Sequence, residues 1–168
     1  MPSGADFDEF YAATSRRVVG HLYAMLGNIT DAEDAVQEAY TRAWLRWSRL
    51  REYADPEGWV RTVAYRVAVS SWRKAVNRFT AHQRHGGVPD APEIGPEHVM
   101  LVDAMRRLPA QQRRALVLYH VVGLSIEDIA RETGTASGTV KSRLARGRQA
   151  LAAQLGEDRA GPGQDRSA

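Results

Sequence analysis

Short hydroxyl and cationic side chains occupy the stretch from Ser137 to Arg146 of this 168-residue chain. Between Thr133 and Gly156 there is no Asp or Glu, so these cations have no acidic neighbour in the sequence. Hydroxyl, guanidinium and ammonium groups are the donors that reach base edges and phosphates in a major groove. We therefore expect this stretch to contact DNA through Ser137, Thr139, Lys141, Ser142, Arg143 and Arg146.

A second basic stretch, from Gly58 to Val88, also contains no acidic residue. The net charge of +3 is too small to indicate a polyanionic partner by itself. Two separated basic stretches, however, predict two contacts with one polyanion. Phosphate contacts from this second stretch are expected from Arg61, Arg66, Arg73 and Lys74.

The run from Asp31 to Glu38 has the opposite character, because it offers four carboxylates and no base. Such a surface suits an arginine-rich protein partner. Capping of a helix N-terminus would explain Asp31, Glu33 and Asp34, since carboxylates are favourable in a first turn. Capping does not explain Glu38, which follows one turn later.

Catalytic and metal-binding groups are sparse in this sequence. The chain has no cysteine, which removes disulfides, thiolate nucleophiles and cysteine-based metal sites. His82 and His85 form an HxxH pair, but without a supporting carboxylate or cysteine we interpret them as solvated loop histidines. Because no nucleophile, base and orienting group can be combined, the sequence predicts neither an enzyme nor a bound metal or cofactor.

Export and membrane insertion are not expected. The N-terminal segment carries Asp6, Asp8 and Glu9 where a signal peptide would carry basic residues. The most apolar stretch, from Ala115 to Leu124, is interrupted by His120, and a bilayer requires about 20 apolar residues. We therefore predict a cytoplasmic protein.

Apolar residues in the first half recur at helical spacing and predict three helices packed as one domain, residues 1–79. The first helix is expected to end at Gly27-Asn28, the second to be capped by Asp31, and the third to begin at Pro56. The predicted buried residues are Phe7, Phe10, Tyr11, Val18, Leu22 and Leu26 in the first helix, Val36, Tyr40, Ala43, Trp44 and Trp47 in the second, and Val60, Val63, Ala64, Val67, Ser71 and Trp72 in the third.

The second half begins after residues 80–96, where closely spaced Gly and Pro predict a flexible linker. Residues 97–155 predict a second domain of four helices, and the polar residues 156–168 predict a disordered tail. No strand pattern is visible. The predicted fold class is therefore all-α, with two small helical domains joined by the linker.

A helix-turn-helix is predicted inside the second domain. Ala130, Gly134 and Val140 have its spacing: a small residue where two helices cross, a glycine that adopts positive φ, and a core residue on the second helix. The second helix is expected to begin near Ser137, which places the DNA-contacting side chains in its first turns. Arg148 lies further along and is expected, like Arg146, to favour the DNA backbone.

These motifs resemble those of the bacterial RNA polymerase sigma factors. A resemblance to their region 4 runs through LPAQQRRALVLYHVVGLSIEDIARETGTASGTVKSRLARGRQAL, and one to region 2 runs through DAEDAVQEAYTRAW and PEGWVRTVAYRVAVSSWRK. Together the matching parts cover about nine tenths of the chain. Because other regions of the family have no counterpart here, the sequence is most similar to the extracytoplasmic-function (ECF) group, group IV of the sigma-70 family.

The resemblance implies a sigma factor that binds core RNA polymerase and directs promoter-specific initiation by recognising −10 and −35 elements. It implies that the clamp helices of the polymerase β′ subunit bind Asp34, Gln37, Glu38 and Arg42. The polymerase β flap, promoter DNA and an anti-sigma factor are the other implied partners. No catalytic residue is implied.

The resemblance also assigns promoter contacts. The loop from Ser48 to Asp55 and the helix beginning at Pro56 would read the −10 element, where the family holds an unpaired base in a pocket. Trp59 and Trp72 are interpreted as core residues rather than stacking platforms, which is the commoner role at this spacing. The implied −10 contacts are Arg61, Arg66, Ser70, Arg73 and Lys74, and the implied −35 contacts are the six side chains between Ser137 and Arg146.

A free-standing helix-turn-helix regulator is the alternative function, with the first domain as a dimerisation or effector module. A repressor dimer should footprint a palindrome alone, whereas a sigma factor should bind its promoter tightly only with core polymerase. A plain helical hairpin with a solvated basic face is disfavoured, because capping, turn glycine, core spacing and local absence of acid all agree.

Overall fold

The computed structural model describes residues 4–79 and 96–159, and within these the side chains of residues 4–74 and 100–156. The described residues form α-helices and short connections without a strand. The chain divides into two compact units, Met1–Pro92 and Glu93–Ala168. The all-α, two-domain prediction is confirmed. His82 and His85, together with most of the predicted linker and tail, lie outside the described residues.

The described part of the first unit contains four helices, which are α1 (Gly4–Leu26), α2 (Ile29–Trp44), α3 (Trp47–Leu50) and α4 (Pro56–Phe79). The first helix ends as predicted, at Gly27 with φ 75°. The prediction that Asp31 caps α2 is wrong. Asn28 is the cap, because its extended backbone lets its side-chain oxygen accept the Asp31 backbone N–H at 3.1 Å.

The core of the first unit lies where α1, α2 and α4 pack together. Its aromatic part is a cluster of rings whose centroids lie 4.9–6.4 Å apart: Phe7, Phe10, Tyr11, Tyr40, Trp44 and Trp47. The Tyr40 hydroxyl is 2.6 Å from that of Thr14, and burial raises the pKa of Tyr40 to about 12. Tyr11 and Trp44, both predicted to be buried, are 46% and 49% exposed and belong to the outer part of the cluster.

The buried face of α4 ends earlier along the helix than the sequence pattern indicates. Val60, Ala64 and Ala68 are buried, and Ala68 is the last buried residue among the described side chains of this helix. The prediction that Trp72 is a core residue is wrong, because it lies one turn beyond Ala68 and is 66% exposed. Trp59 at the other end is only partly buried.

The second unit contains α5 (Pro96–Arg107), α6 (Ala110–His120), α7 (Ile126–Thr133) and α8 (Ser137–Arg159). The helix α8 packs against the other three. It continues to Arg159, four residues beyond its predicted end, and α5 begins at Pro96, the last residue of the predicted linker. None of the helices in the described ranges offers an apolar stretch of the length that a bilayer requires.

The predicted helix-turn-helix is formed by α7 and α8. Ser125 caps α7 by accepting the Asp128 backbone N–H at 3.1 Å, and its hydroxyl hydrogen bond to the Asp128 carboxylate holds the pKa of that carboxyl below its usual value. Gly134 ends α7 with φ 64°, as the predicted turn requires. Ile129, Val140 and Leu144 are buried between the helices, which confirms the predicted core spacing.

Candidate nucleic-acid interfaces

The start of α4 is fixed by a side-chain cap. The Asp55 carboxylate accepts the Gly58 backbone N–H at 2.8 Å, and Pro56 occupies the first turn, where its missing N–H costs nothing. A Cβ on Gly58 would collide with that carboxylate. Asp55 therefore determines how α4 begins, and only glycine at position 58 fits the cap without rearrangement.

Arg61 is buried at the same end of α4, with an exposure of 3%. Its guanidinium lies 3.9 Å from carboxylate oxygens of Asp55 and Glu57. Burying a cation is costly unless carboxylates or hydrogen bonds compensate its charge. The prediction that Arg61 contacts DNA phosphate is therefore corrected: the side chain faces the interior and acts within the fold. Its i,i+4 spacing from Glu57 is the signal in the sequence that indicates this pairing.

The same carboxylate joins α4 to α1. Arg17 donates from Nε to Glu57 Oε1 at 3.0 Å and makes a second, shorter contact through Nη2 to Oε2. These hydrogen bonds lower the pKa of Glu57 and raise that of Arg17. Beside them, burial and then the charge of Arg61 lower the pKa of His21, whose Nδ1 has no partner in the described part of the chain.

A cavity of about 610 Å³, here called the first cavity, opens where α3, the following loop and the first turn of α4 meet. Its wall combines guanidinium groups, which donate hydrogen bonds, with hydroxyl groups and aromatic rings. The lining residues are Arg46, Ser48, Arg49, Leu50, Tyr53 and Trp59. The sequence predicted that the loop from Ser48 to Asp55 reads the −10 element, but it did not predict a role for Arg46, Arg49 or Tyr53 individually.

A second cavity of about 380 Å³ lies between the C-terminal half of α2 and α4. It is lined by Arg42, Leu45, Arg46, Trp59, Val63 and Arg66. Arg46 and Trp59 therefore belong to the walls of both cavities. The two cavities therefore adjoin, and we call them together the recess of the first unit.

An exposed polar face continues along α4 from the second cavity. Arg66, Ser70 and Arg73 follow one another at spacings of four and three residues, which places them on one side of the helix, with Lys74 beside them. All four side chains are exposed. Arg66 and Arg73 form no ion pair within the described residues. These four predicted −10 contacts, unlike Arg61, are accessible to a polyanion.

The polar face of α2 consists of Asp34, Gln37, Glu38 and Arg42, all of which are exposed. Arg42 donates from Nε to Glu38 Oε1 at 2.8 Å, so part of the negative charge of this face is balanced internally. Asp34 has no such partner among the described side chains. Leu45, one turn further, is 77% exposed and adds an apolar patch beside the charges.

The DNA-facing candidates on α8 occupy its first three turns. Thr139, Lys141, Ser142 and Arg146 are exposed, whereas Ser137 and Arg143 are partly buried. None of the three cations forms an ion pair within the described residues. The α8 face, meaning these six side chains, therefore presents donors that are not committed to carboxylates of the fold.

Arg148, expected to favour the DNA backbone, also contacts α6. Its guanidinium lies 5.2 Å from the Tyr119 ring centroid, and its Nε donates to His120 Nε2 at 3.2 Å. Nearby, a Cβ on Gly147 would stand 3.0 Å from Leu116 Cδ1, so α6 and α8 approach closely there. Gly147 therefore allows the close approach of α8 to α6, and Arg148 adds contacts between the same two helices while its side chain stays exposed.

Comparison with known protein families gives one match within each of the two units. The model of Sigma-70 region 2 matches residues 10–78, and the model of Sigma-70 region 4 matches residues 98–151. The first match contains α2, α3 and both cavities. The second contains the helix-turn-helix.

Individual relatives extend the likeness over most of the chain. The ECF RNA polymerase sigma factor SigM of Mycobacterium tuberculosis is 34% identical over 153 residues, covering 89% of this chain and 77% of that relative. The RNA polymerase sigma-E factor of Streptomyces coelicolor is 27% identical over 152 residues, covering 89% of this chain and 86% of that relative.

A solved structure has the same fold. The sigma factor RpoE of Bartonella quintana, in complex with the anti-sigma factor NepR, aligns with a TM-score of 0.74 and 24% identity over 89% of this chain and 96% of that one. The fold alone would leave the function open. The two family matches and the level of identity with SigM decide it: this chain belongs to the ECF RNA polymerase sigma factors, which initiate transcription without being enzymes.

Proposed function

We propose that this sigma factor reads the −10 element with the first unit, as an unpaired base held in the first cavity. The observation that carries the proposal is the wall of that cavity, where Trp59 and Tyr53 offer ring faces and Arg46 and Arg49 offer guanidinium donors. Its volume of about 610 Å³ lies in the range of ligand-binding pockets.

Capture of a base has a definite energetic cost. Removing a base from the stack costs a few kcal/mol, and a protein without ATP hydrolysis must offset this by new contacts. Stacking on an aromatic ring contributes about 1–3 kcal/mol per base, and phosphate contacts add to it. The exposed face of α4 with Arg66, Ser70, Arg73 and Lys74 adjoins the recess and provides those phosphate contacts.

The −35 element is read by the second unit through the α8 face. A helix entering the major groove contacts base edges with its first turns. Hydroxyls and cations lie there, four of them exposed and those of Ser137 and Arg143 partly buried: Ser137, Thr139, Lys141, Ser142, Arg143 and Arg146. Arg143 emerges from a partly buried position, which restricts its rotamers and makes it the best candidate for a base contact.

The polar face of α2 is the surface that binds core polymerase. Its exposed carboxylates suit the arginine-bearing clamp helices of the β′ subunit. The second unit is expected to contact the β flap. An anti-sigma factor is a further proposed partner, since the RpoE relative was solved with one. The protein would act in the cytoplasm, where the polymerase is.

The function is tested by transcription of its own genomic DNA with core polymerase, in the presence and absence of this chain. We expect new, discrete start sites only when the chain is added, and a stable complex of the chain with core. A chain that forms no complex with core and footprints a palindrome alone would support the free-standing regulator instead.

A further inference from the structure

His21 is a buried histidine that none of the proposed contacts with DNA or polymerase uses. It lies on α1, and its Nδ1 has no hydrogen-bond partner in the part of the chain that the structure describes. A neutral imidazole tolerates such a position, whereas an imidazolium has two N–H donors and a charge that both need compensation. The groups around His21 therefore determine what its protonation does to the first unit.

The neighbours of His21 form a cluster between α1 and α4. His21 follows Arg17 by one helical turn on α1, and Arg61 follows Glu57 by one turn on α4. Arg17 Nε and Arg61 Nη1 approach the same oxygen, Glu57 Oε1, at 3.0 Å and 3.9 Å. The charges of Arg61 and Arg17 disfavour the imidazolium of His21, and that of Glu57 favours it. A protonated His21 would therefore be a third cation beside one carboxylate.

The other helix that packs against α1 offers no second carboxylate to this cluster from its described buried residues. From α2, Tyr40 interacts with Arg17 and Glu57, but burial raises its pKa to about 12 and its hydroxyl stays neutral. The carboxylate of Glu57, already shared by two guanidiniums, is thus the negative charge that protonated His21 would have to use.

Arg61 connects this cluster to the recess. Its Nη2 lies 3.9 Å from Asp55 Oδ2, while Asp55 Oδ1 accepts the Gly58 backbone N–H at 2.8 Å. One carboxylate therefore faces the buried guanidinium and also caps the first turn of α4. Trp59 projects from that turn and lines both cavities. A displacement of Arg61 would reach Trp59 through Asp55.

We propose that His21 is an acid-sensitive switch for the recess. The protonated imidazole competes with Arg61 for Glu57 and repels its guanidinium, which moves and displaces the Asp55 cap together with Trp59. The affinity of the recess for an unpaired base then falls. The neutral imidazole, present at higher pH, leaves the cap in place. This inference rests on the proposed capture of an unpaired base by the first cavity.

The test uses complete holoenzyme and a promoter fork with an unpaired −10 strand, taken from a start site that this holoenzyme transcribes. Affinity is measured from about pH 7.5 to about pH 5.5, a range that includes the ordinary histidine pKa. We expect the wild type to lose at least roughly fivefold, the lower end of what stacking on one ring contributes. His21→Gln, which cannot be protonated, should lose severalfold less. The control His120→Gln removes an exposed histidine of the second unit and should keep the wild-type profile.

A second fork, with an abasic site at the captured position, separates the switch from plain unfolding. Trp59 has no base to stack on in this fork, so the pH-dependent loss of the wild type should disappear. Partial unfolding of the first unit would instead weaken both forks by the same factor. This comparison needs no variant and stays decisive even if His21→Gln folds poorly.

Identical pH profiles of the wild type and His21→Gln would overturn the switch while leaving base capture intact. Equal pH-dependent losses on the intact and abasic forks would overturn it as well, because His21 would then affect folding alone. If the abasic site causes no loss even at about pH 7.5, where His21 is neutral, the capture proposal fails and the inference fails with it.

Discussion

The two proposed DNA-binding surfaces of this sigma factor are built in different ways. In the first unit the site is a recess whose walls come from α2, α3 and α4, and beside it Glu57 pairs with the buried Arg61 and with Arg17. In the second unit the site is one face of one helix. A recess can surround an unpaired base, whereas an open helix face can only enter the groove of a duplex.

The two surfaces also differ in the interactions that stabilise them. The α8 face depends on apolar packing of Ile129, Val140 and Leu144, which is non-directional and tolerates exchange of similar side chains. The recess depends on charges and a cap with defined geometry. Substitutions of charged residues far from DNA should therefore disturb the first unit more than the second.

The largest effect is expected for Glu57→Ala, which removes the carboxylate shared by Arg17 and Arg61. Arg61 is buried and would keep only Asp55 as a nearby carboxylate. We therefore expect the free energy of unfolding of the first unit to fall by about 2–3 kcal/mol. All four tryptophans lie in this unit, so their fluorescence during urea unfolding reports on it alone.

The matched control is Glu33→Ala, because Glu33 is exposed. It should change the free energy of unfolding by less than about 0.5 kcal/mol. Binding of −35 duplex through the second unit should be unaffected by Glu57→Ala. If Glu57→Ala and Glu33→Ala have the same free energy of unfolding by tryptophan fluorescence, the ion pairs of Glu57 do not stabilise the first unit.

A smaller effect is expected for Gly58→Ala, since the new Cβ collides with the Asp55 cap. Loss or displacement of a helix cap costs about 1–2 kcal/mol. The displaced first turn would also move Trp59, so affinity of holoenzyme for an unpaired −10 strand should fall. The control is Gly138→Ala on α8, where nothing lies within 4 Å of the position that the new Cβ would take. Unchanged −10 affinity in Gly58→Ala would contradict the proposed role of the cap.

Charge reversal on the polar face of α2 should have a more modest effect. Asp34→Lys replaces an exposed carboxylate, so we expect affinity for core polymerase to fall by about 1 kcal/mol, or roughly fivefold, with a stronger effect at low salt. Glu9→Lys on α1 makes the same charge change at another exposed position and is the control. A similar loss in both variants would argue for a general charge effect instead of docking at α2.

The smallest effect concerns pH. His21 has a lowered pKa in the folded state, so the unfolded chain binds more protons as pH falls below about 6.5. The contribution of neutral His21 to the free energy of unfolding is therefore complete above that pH and is lost progressively below it. Melting followed by tryptophan fluorescence from about pH 7.5 to about pH 5.5 should show a decline in Tm that His21→Leu reduces. An identical decline in both proteins would exclude His21 as its source.

The sequence predicted the second unit better than the first, for a physical reason. The helix-turn-helix is a local unit, and Ser125, Gly134 and Val140 encode its cap, turn and core within 16 residues. The recess depends on where neighbouring helices end. Helical spacing gives the phase of Trp72 on α4 correctly, but it does not reveal that the core stops at Ala68.

Arg61 illustrates the same limit. Its position in an acid-free stretch suggested a DNA contact, whereas its direction was determined by Asp55 and Glu57, just before that stretch begins. The cavities combine residues from α2 to α4, and only the folded chain brings Arg46 and Trp59 together. Arg66, Ser70, Arg73 and Lys74 are exposed, and their contacts with DNA stay predictions.

The central claim is that the first unit reads unpaired bases and the second reads a duplex. Its most direct test measures the affinity of holoenzyme, carrying Arg49→Ala or Arg143→Ala, for two altered promoter forks. One fork has an abasic site at the captured −10 position, and the other has a scrambled −35 duplex. We predict that Arg49→Ala causes no further loss on the abasic fork and its full loss on the scrambled one, with Arg143→Ala behaving in the opposite way. Equal losses for each variant on both forks would contradict the division of labour between the two units.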